Sequence, residues 1–227
     1  MALPMIYYAV GQDWDTGRPV NTDGFHHLRL AMSRDLMEWK YLGDREPFIE
    51  PSGAEQGLAG IFDRSQLGPM APIVKTDELW FYYGGWKRRC NHLLKLNPDR
   101  SKRDPGTLTA DQKADLAEGA SGICLAVLRR DGFISLDGGS KEGTVLTRQF
   151  ILPSTKLFVN VDAPSGELRV EVLDADGNVV ARSRPLRGDL MGEPIQWTKG
   201  NVADLQNREV SLRFKLRNGK LYSYWLQ

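Results

Sequence analysis

Gly68-Pro-Met-Ala-Pro-Ile-Val-Lys-Thr-Asp-Glu-Leu-Trp-Phe-Tyr-Tyr-Gly-Gly-Trp86 is the stretch whose pattern decides the fold. It reads as a strand holding Ile73 and Val74, a turn over Lys75-Thr76-Asp77-Glu78, and a second strand along the aromatic run Leu79 to Tyr83. Gly84-Gly85 is expected to close that strand. A related unit precedes it, Leu28-Arg-Leu-Ala-Met-Ser-Arg-Asp-Leu-Met-Glu-Trp39, again a strand, a Ser-x-Asp turn and a Trp that opens the next strand. Small sheets recurring every 40 to 50 residues or so have the period of propeller blades.

Composition supports an all-β chain. There are 23 Gly and 12 Pro among 227 residues, with few long helical patterns. That length holds one large or two small domains. Thirty basic residues face twenty-nine acidic ones, so the net charge of +1 gives no overall reason to expect nucleic acid or an anionic membrane as partner. Cys90 and Cys124 are too few for a disulfide scaffold. A single bridge between them and two reduced thiols both remain open. The N-terminus, Met1-Ala-Leu-Pro-Met-Ile-Tyr-Tyr-Ala-Val, has no basic leader region and no small-residue cleavage site. No stretch reaches the roughly 18 apolar residues of a membrane span. A soluble protein, cytoplasmic by default, is the expectation.

Along the chain, residues 5–10 are expected to form a strand and 11–24 a polar loop. Strands at 25–32 and 38–42 flank Ser33-Arg34-Asp35, and a Gly- and Pro-rich connection runs over 44–63. Residues 87–120 differ in kind: basic runs, Pro98 and Pro105, and a possible helix over 109–118 capped by Thr109 read as an insertion on one face of the sheet. From about residue 135 the text changes to short alternating strands, at 144–150, 155–161, 167–173, 178–184, 194–197, 209–216 and 220–226. Leu168, Val170 and Val172, like Leu212, Phe214 and Leu216, give each strand one buried face. Such spacing predicts a β-sandwich over 136–227, after a first domain at 1–135.

The order Ser33-Arg34-Asp35 … Trp39, Arg45-Glu46-Pro47-Phe48 and Tyr82-Tyr83-Gly84-Gly85 resembles the β-propeller glycoside hydrolases of the fructosidase, arabinanase and mannoside-phosphorylase type. The segments LRRDGFISLD at 128–137, LFVNVDA at 157–163, LRVEVLD at 168–174 and LRFKLRNGKLYSYW at 212–225 look like the β-sandwich appended to such propellers. The resemblance implies a five-bladed propeller, with catalytic carboxylates drawn from different blades into a central funnel. Only enough chain for two to three blades precedes the sandwich here. The expectation is therefore a partial propeller lacking its N-terminal blades, whether a truncated clone or a natural short form. Its open strand edges predict a homo-oligomer.

A glycosidase needs two carboxyl groups across the scissile bond. Asp63, in Gly60-Ile-Phe-Asp-Arg-Ser65, is the first candidate, because chains of the resembled group carry an aspartate before the inner strand of a blade. An ordinary turn aspartate is the plainer alternative. Glu46 is the second, with Arg45 beside it to orient the carboxylate or clamp a sugar acid; a surface Arg–Glu pair is the alternative. Asp13 and Asp15 flanking Trp14 suit a sugar subsite, against a solvated loop with a packed Trp. Trp86 and Tyr83 offer a stacking platform, or core packing.

His26 and His27 are adjacent on a strand and point to opposite faces, so they cannot chelate one ion together. One of them, His26, is expected to face the funnel as a hydrogen-bond donor, and no metal or cofactor is expected. Asp35 fits a structural turn of the Asp-box kind. Lys87-Arg88-Arg89 with Arg100, Lys102 and Arg103 reads as a solvated basic loop, with an anion site as the sharper alternative. The functional expectation is a hydrolase acting on an oligo- or polysaccharide, with no nucleic-acid or membrane partner. The rivals are a non-catalytic carbohydrate-binding remnant and, more remotely, ester hydrolysis at Ser65.

Overall fold

The computed structural model describes residues 1–12, 19–52, 62–63, 66–68, 71–87, 117, 119 and 121–227. The Asp13-Trp14-Asp15 loop, the basic residues 88–103 and almost all of the expected helix over 109–118 lie outside the described residues. The chain divides into two compact units, one of Met1–Val74 with Trp80–Val127, the other of Lys75–Leu79 with Leu128–Gln227. Strand is the dominant element among the described residues, and the protein is all-β.

The first unit runs β1 (Met5–Gln12), β2 (Pro19–Arg29), β3 (Ala31–Met32), β4 (Lys40–Tyr41), β5 (Pro47–Ile49), β6 (Gln66–Gly68), β7 (Ile73–Val74), β8 (Glu78–Trp86) and β9 (Ser121–Arg129). These make three antiparallel sheets: β1-β2-β5, β3-β4, and β6-β8-β7 with β9 beside β8. Residues 19–24, expected as loop, belong to β2, and Gln12 pairs with Pro19 across the hairpin. The polar run Asn21-Thr22-Asp23 hid a strand in which Gly24 and Leu28 are buried. A Cβ on Gly24 would overlap the Tyr7 ring, so the close pairing of β1 with β2 depends on that glycine.

Between β3 and β4 the Ser33–Trp39 turn is built as its sequence predicts. Asp35 Oδ1 accepts backbone N–H bonds from Met37 and Glu38, both at 2.9 Å, and a bond from Ser33 Oγ at 3.0 Å. Those bonds from Glu38, Met37 and Ser33, in that order, hold the Asp35 carboxyl below its usual value. Trp39 does not fill a core. It stays half-exposed and donates Nε1 to the Leu36 carbonyl of its own turn.

The second unit runs β10 (Leu136–Gly138), β11 (Gly143–Leu146), β12 (Phe150–Ile151), β13 (Leu157–Leu173), β14 (Val179–Ser183), β15 (Leu186–Pro194), β16 (Trp197–Lys199), β17 (Glu209–Arg217) and β18 (Gly219–Leu226). Two expected strands, 155–161 and 167–173, are one long strand, β13. Its first half pairs with β15 and β18, and its second half with β14 and β17. Ala163-Pro164-Ser165-Gly166 reads as a turn in sequence but only bends the strand, where the register to β15 slips. A strand that turns a corner in this way joins both ladders into one nearly closed, barrel-like sheet. β15 was missed entirely. Its Gly188 and Gly192 sit at positive φ, Gly192 at a second register slip, so alternation is broken where the ladder continues.

The core of this unit is a single apolar cluster in which Val159, Val161, Leu168, Val170, Leu212 and Phe214 are almost wholly buried. Each such side chain contributes about 1.5–3 kcal/mol of transfer free energy. The opposite face of the second ladder is charged. Glu171, nearly buried, meets Arg182, Arg213 and Lys215 at 3.0–3.3 Å, and Glu167 meets Arg187 at 2.7 Å and Arg169 at 2.9 Å, with Arg217 at 4.0 Å.

Burial raises the Glu171 carboxyl, but Lys215, then Arg213 and Arg182, outweigh it and hold the group below its usual value. The Arg187 hydrogen bond does the same for Glu167. Both carboxyls bind protons less readily folded than unfolded, so their stabilisation is complete above the unfolded value of 4.5 and lost as pH falls through the folded one. Urea unfolding followed at the Trp197 and Trp225 fluorescence should show stability dropping from about pH 5 to about pH 3. Glu171→Gln should flatten that slope; an unchanged slope would remove this account of it.

Candidate functional site

The sheet of β6, β8, β7 and β9 carries the site. Along β8 the side chains alternate: Leu79, Phe81, Tyr83 and Gly85 are buried, and the parity continues to Lys87, while Trp80, Tyr82, Gly84 and Trp86 stand on the other face. Gly84 and Gly85 do not end the strand, which runs on to Trp86. Each glycine has a separate reason. A Cβ on Gly85 would come within 2.9 Å of both the Asp63 Cβ and the Cys124 Sγ. Gly84 and its partner Gly68 on β6 form a floor on which the Trp86 ring lies, 3.1–3.3 Å from where their Cβ atoms would be.

Asp63 is 8% exposed. The Tyr83 hydroxyl donates to its Oδ2 at 2.6 Å, and among the described residues this is the side chain's one hydrogen bond. Burial first, then the Asp63 hydrogen bond and charge, with Cys124 adding a little, push the Tyr83 phenol far above its usual value, so it is a neutral donor at any physiological pH. Cys124 is a free thiol. Burial and the Asp63 charge raise it, against a smaller opposing effect of the Tyr83 hydrogen bond, so it is held protonated and is a poor nucleophile. Leu28, Ile49 and Ala126 pack beside Tyr83 and Cys124.

Lys87 is a further member. The sequence placed it in a solvated basic run, whereas the structure buries it, with Nζ 4.4 Å from the centroid of the Phe62 ring. The signal was there: Lys87 has the parity of Tyr83 and Gly85, the inward set of β8. Removing the Tyr83 hydroxyl leaves the Asp63 carboxylate without its donor in a mostly dry site. Tyr83→Phe should therefore cost about 1–3 kcal/mol in urea unfolding.

The other sequence candidates are distributed as follows. Glu46 is exposed and caps a short 3-10 turn over Gly43–Arg45, its N–H bonding the Gly43 carbonyl. It makes no ion pair with Arg45 or any other described residue. Arg45 turns at positive φ and lies over the Tyr41 ring at 5.6 Å. Arg29 approaches the same ring at 6.0 Å and also hydrogen-bonds the Tyr8 hydroxyl, so two guanidinium groups lie near the Tyr41 ring.

His26 pairs with Tyr7 on β1, rings 4.9 Å apart, while His27 contacts Tyr8 and Phe25 on the opposite face. Burial lowers the His26 pKa, and its Nδ1 has no partner among the described residues. Trp86 is 39% exposed but stands on the face of β8 opposite Asp63. The sheet brings together Asp63, Tyr83 and Cys124, with Lys87 against Phe62, and not Asp63 with Trp86. No group of three or more potential metal ligands occurs among the described residues. No helix among them is long and apolar enough to cross a membrane.

No family model matches the chain, and no curated protein matches it. Among solved structures it is similar to a glycoside hydrolase family 43 arabinoxylan arabinofuranohydrolase from Bacillus subtilis in complex with cellotetraose. The identity is 10% and the TM-score 0.22, over 97% of this chain and 50% of that one. The chain thus spans about half the length of that neighbour. At that TM-score the likeness carries neither fold nor activity.

Proposed function

We propose that the chain is a carbohydrate-active hydrolase of the propeller lineage, its first domain a partial propeller and its second a β-sandwich. Asp63 supplies one carboxylate of the pair that cleaves a glycosidic bond, and Glu46 the other, with the second site completed across a subunit interface. The observation that carries this reading is the Asp63 carboxylate itself. It is nearly buried, oriented by a neutral Tyr83 hydroxyl, and retains an oxygen with no hydrogen bond from a described side chain. A carboxylate fixed in this way is prepared for general acid or base work once substrate approaches. Arg45, His26 and the Asp13-Trp14-Asp15 loop are assigned to substrate binding by the chemistry of their side chains in the sequence.

A second reading is favoured by one specific observation: the six-membered ring of Trp86 is seated against Gly68 and Gly84 on the face away from Asp63, with the side chain partly exposed. A ring held so is a ready platform for a sugar face without any need for catalysis, which suits a carbohydrate-binding remnant. Trp86→Ala should weaken oligosaccharide binding by about tenfold while leaving the thermal midpoint nearly unchanged. Titration calorimetry with arabino- and cello-oligosaccharides measures this. Hydrolysis of a panel of nitrophenyl glycosides separates the two readings, since a remnant has no turnover.

A further inference from the structure

A net charge of +1 conceals a strongly basic surface on the second unit. On the outer face of the ladder β17-β13-β14 and the adjoining start of β15, six cations converge on two carboxylates: Arg169, Arg187 and Arg217 around Glu167, and Arg182, Arg213 and Lys215 around Glu171. Six against two leaves four positive charges in excess. The arrangement is set by register. Arg169 stands directly opposite Lys215, and Arg182 directly opposite Lys199, like charges in cross-strand pairs. Such pairs are destabilising by themselves. Two carboxylates would be neutralised by two cations, so the remaining cations are not explained by folding stability.

Four of the arginines keep half or more of their side chains exposed: Arg169, Arg182, Arg187 and Arg217. Glu167 and Glu171 are four residues apart on one strand, so the patch is about 13 Å long, and three strands make it about 10 Å wide. That area exceeds what one small anion fills and fits a stretch of linear polyanion. Glu209, the nearest further acid on this face of β17, lies at the strand's far end beside Ile151.

We propose that this face binds a linear acidic polysaccharide, its carboxylates or sulfates received by the arginine forks. The surface favours that class over nucleic acid. No aromatic ring stands on it among the described residues to stack a base, and it offers a sheet face rather than an element that enters a groove. Arg169, Arg182, Arg187 and Arg217 are the contacts; Glu167 and Glu171 hold the guanidinium planes in place from beneath.

The test uses the whole chain. Polygalacturonate binding is measured by titration calorimetry at about 50 mM and about 500 mM NaCl, with neutral arabinan and a single-stranded thymidine oligonucleotide as comparisons. Expected are binding to polygalacturonate at low salt, a steep loss at high salt, and little or no binding to arabinan. The double variant Arg169→Gln/Arg182→Gln leaves each carboxylate two other cations and should bind about tenfold more weakly.

No binding at low salt, equal binding to arabinan, or an unchanged double variant would overturn the proposal. Oligonucleotide binding as tight as polygalacturonate binding would overturn it too, assigning the face to nucleic acid. Should the double variant fail to fold, the salt dependence and polymer ranking of the wild type decide alone. The proposal does not rest on the hydrolase reading. Asp63→Asn protein should bind polygalacturonate as the wild type does, whatever its turnover.

Discussion

Asp63→Asn is expected to lower kcat on the best nitrophenyl glycoside by about 10²–10⁴-fold, the contribution of one positioned acid or base. Asparagine keeps the shape, and its amide oxygen still accepts the Tyr83 hydroxyl, so the packing over Gly85 and Cys124 is preserved. What disappears is the carboxylate's capacity to take or give a proton. A thermal melt that matches the wild type, together with the kinetic loss, assigns the effect to chemistry. If turnover exists and the variant keeps it in full, Asp63 is a structural aspartate and the catalytic assignment fails. Tyr83→Phe provides the contrast, since its main expected effect is on stability.

The largest effect on folding is expected at Gly166. A Cβ there would lie far inside van der Waals contact of the Arg217 and Asn218 carbonyl oxygens, backbone atoms of the β17–β18 turn. Asn218 is itself held at positive φ, so the turn has little room to retreat. Gly166→Ala should cost about 3 kcal/mol or more, or prevent the second unit from folding. Gly139→Ala is the control. A Cβ at Gly139 meets nothing within 4 Å, and its φ is ordinary, so the change should stay within about 0.5 kcal/mol of wild type. Urea unfolding of the two variants side by side tests the claim, and equal midpoints would refute it.

The strands easiest to read in the sequence were those with one clean face. β17 and β13 from Glu167 to Val172 alternate polar and apolar residues, and the alternation follows directly from burial on one side, whereas β8 alternates in burial beneath a continuous aromatic run. Failures came where glycine or proline had another meaning. Gly84-Gly85 read as a stop, but one makes room for Asp63 and Cys124 and the other supports Trp86. Pro164-Ser165-Gly166 read as a turn between strands, but marks a bend within one. β15 has its glycines at register slips, where no period-two pattern survives.

The site was legible in part. Asp63 was visible as a candidate, but its neighbours Tyr83 and Cys124 come from strands paired only in three dimensions. Lys87 was judged by its charge, when its parity on β8 was the better guide. The converse held for the basic face of the second unit. Its arginines and lysines are dispersed over four strands, and a balanced total charge gave no sign that register would collect them.

The bend in β13 also bears on how the second unit is made. Leu157 at one end of this strand pairs with Leu226, and Glu167 beyond the bend pairs with Arg217, so beside its early partners β14 and β15 the central strand acquires its other two neighbours only from chain that follows much later. A nascent chain that has emerged as far as residue 200 holds a long apolar strand with half its ladder unmade. Contacts this distant in sequence slow folding and prolong the exposure of sticky edges. The second unit should therefore acquire its structure after translation has passed residue 226, and chaperone dependence during expression should fall on this half of the chain.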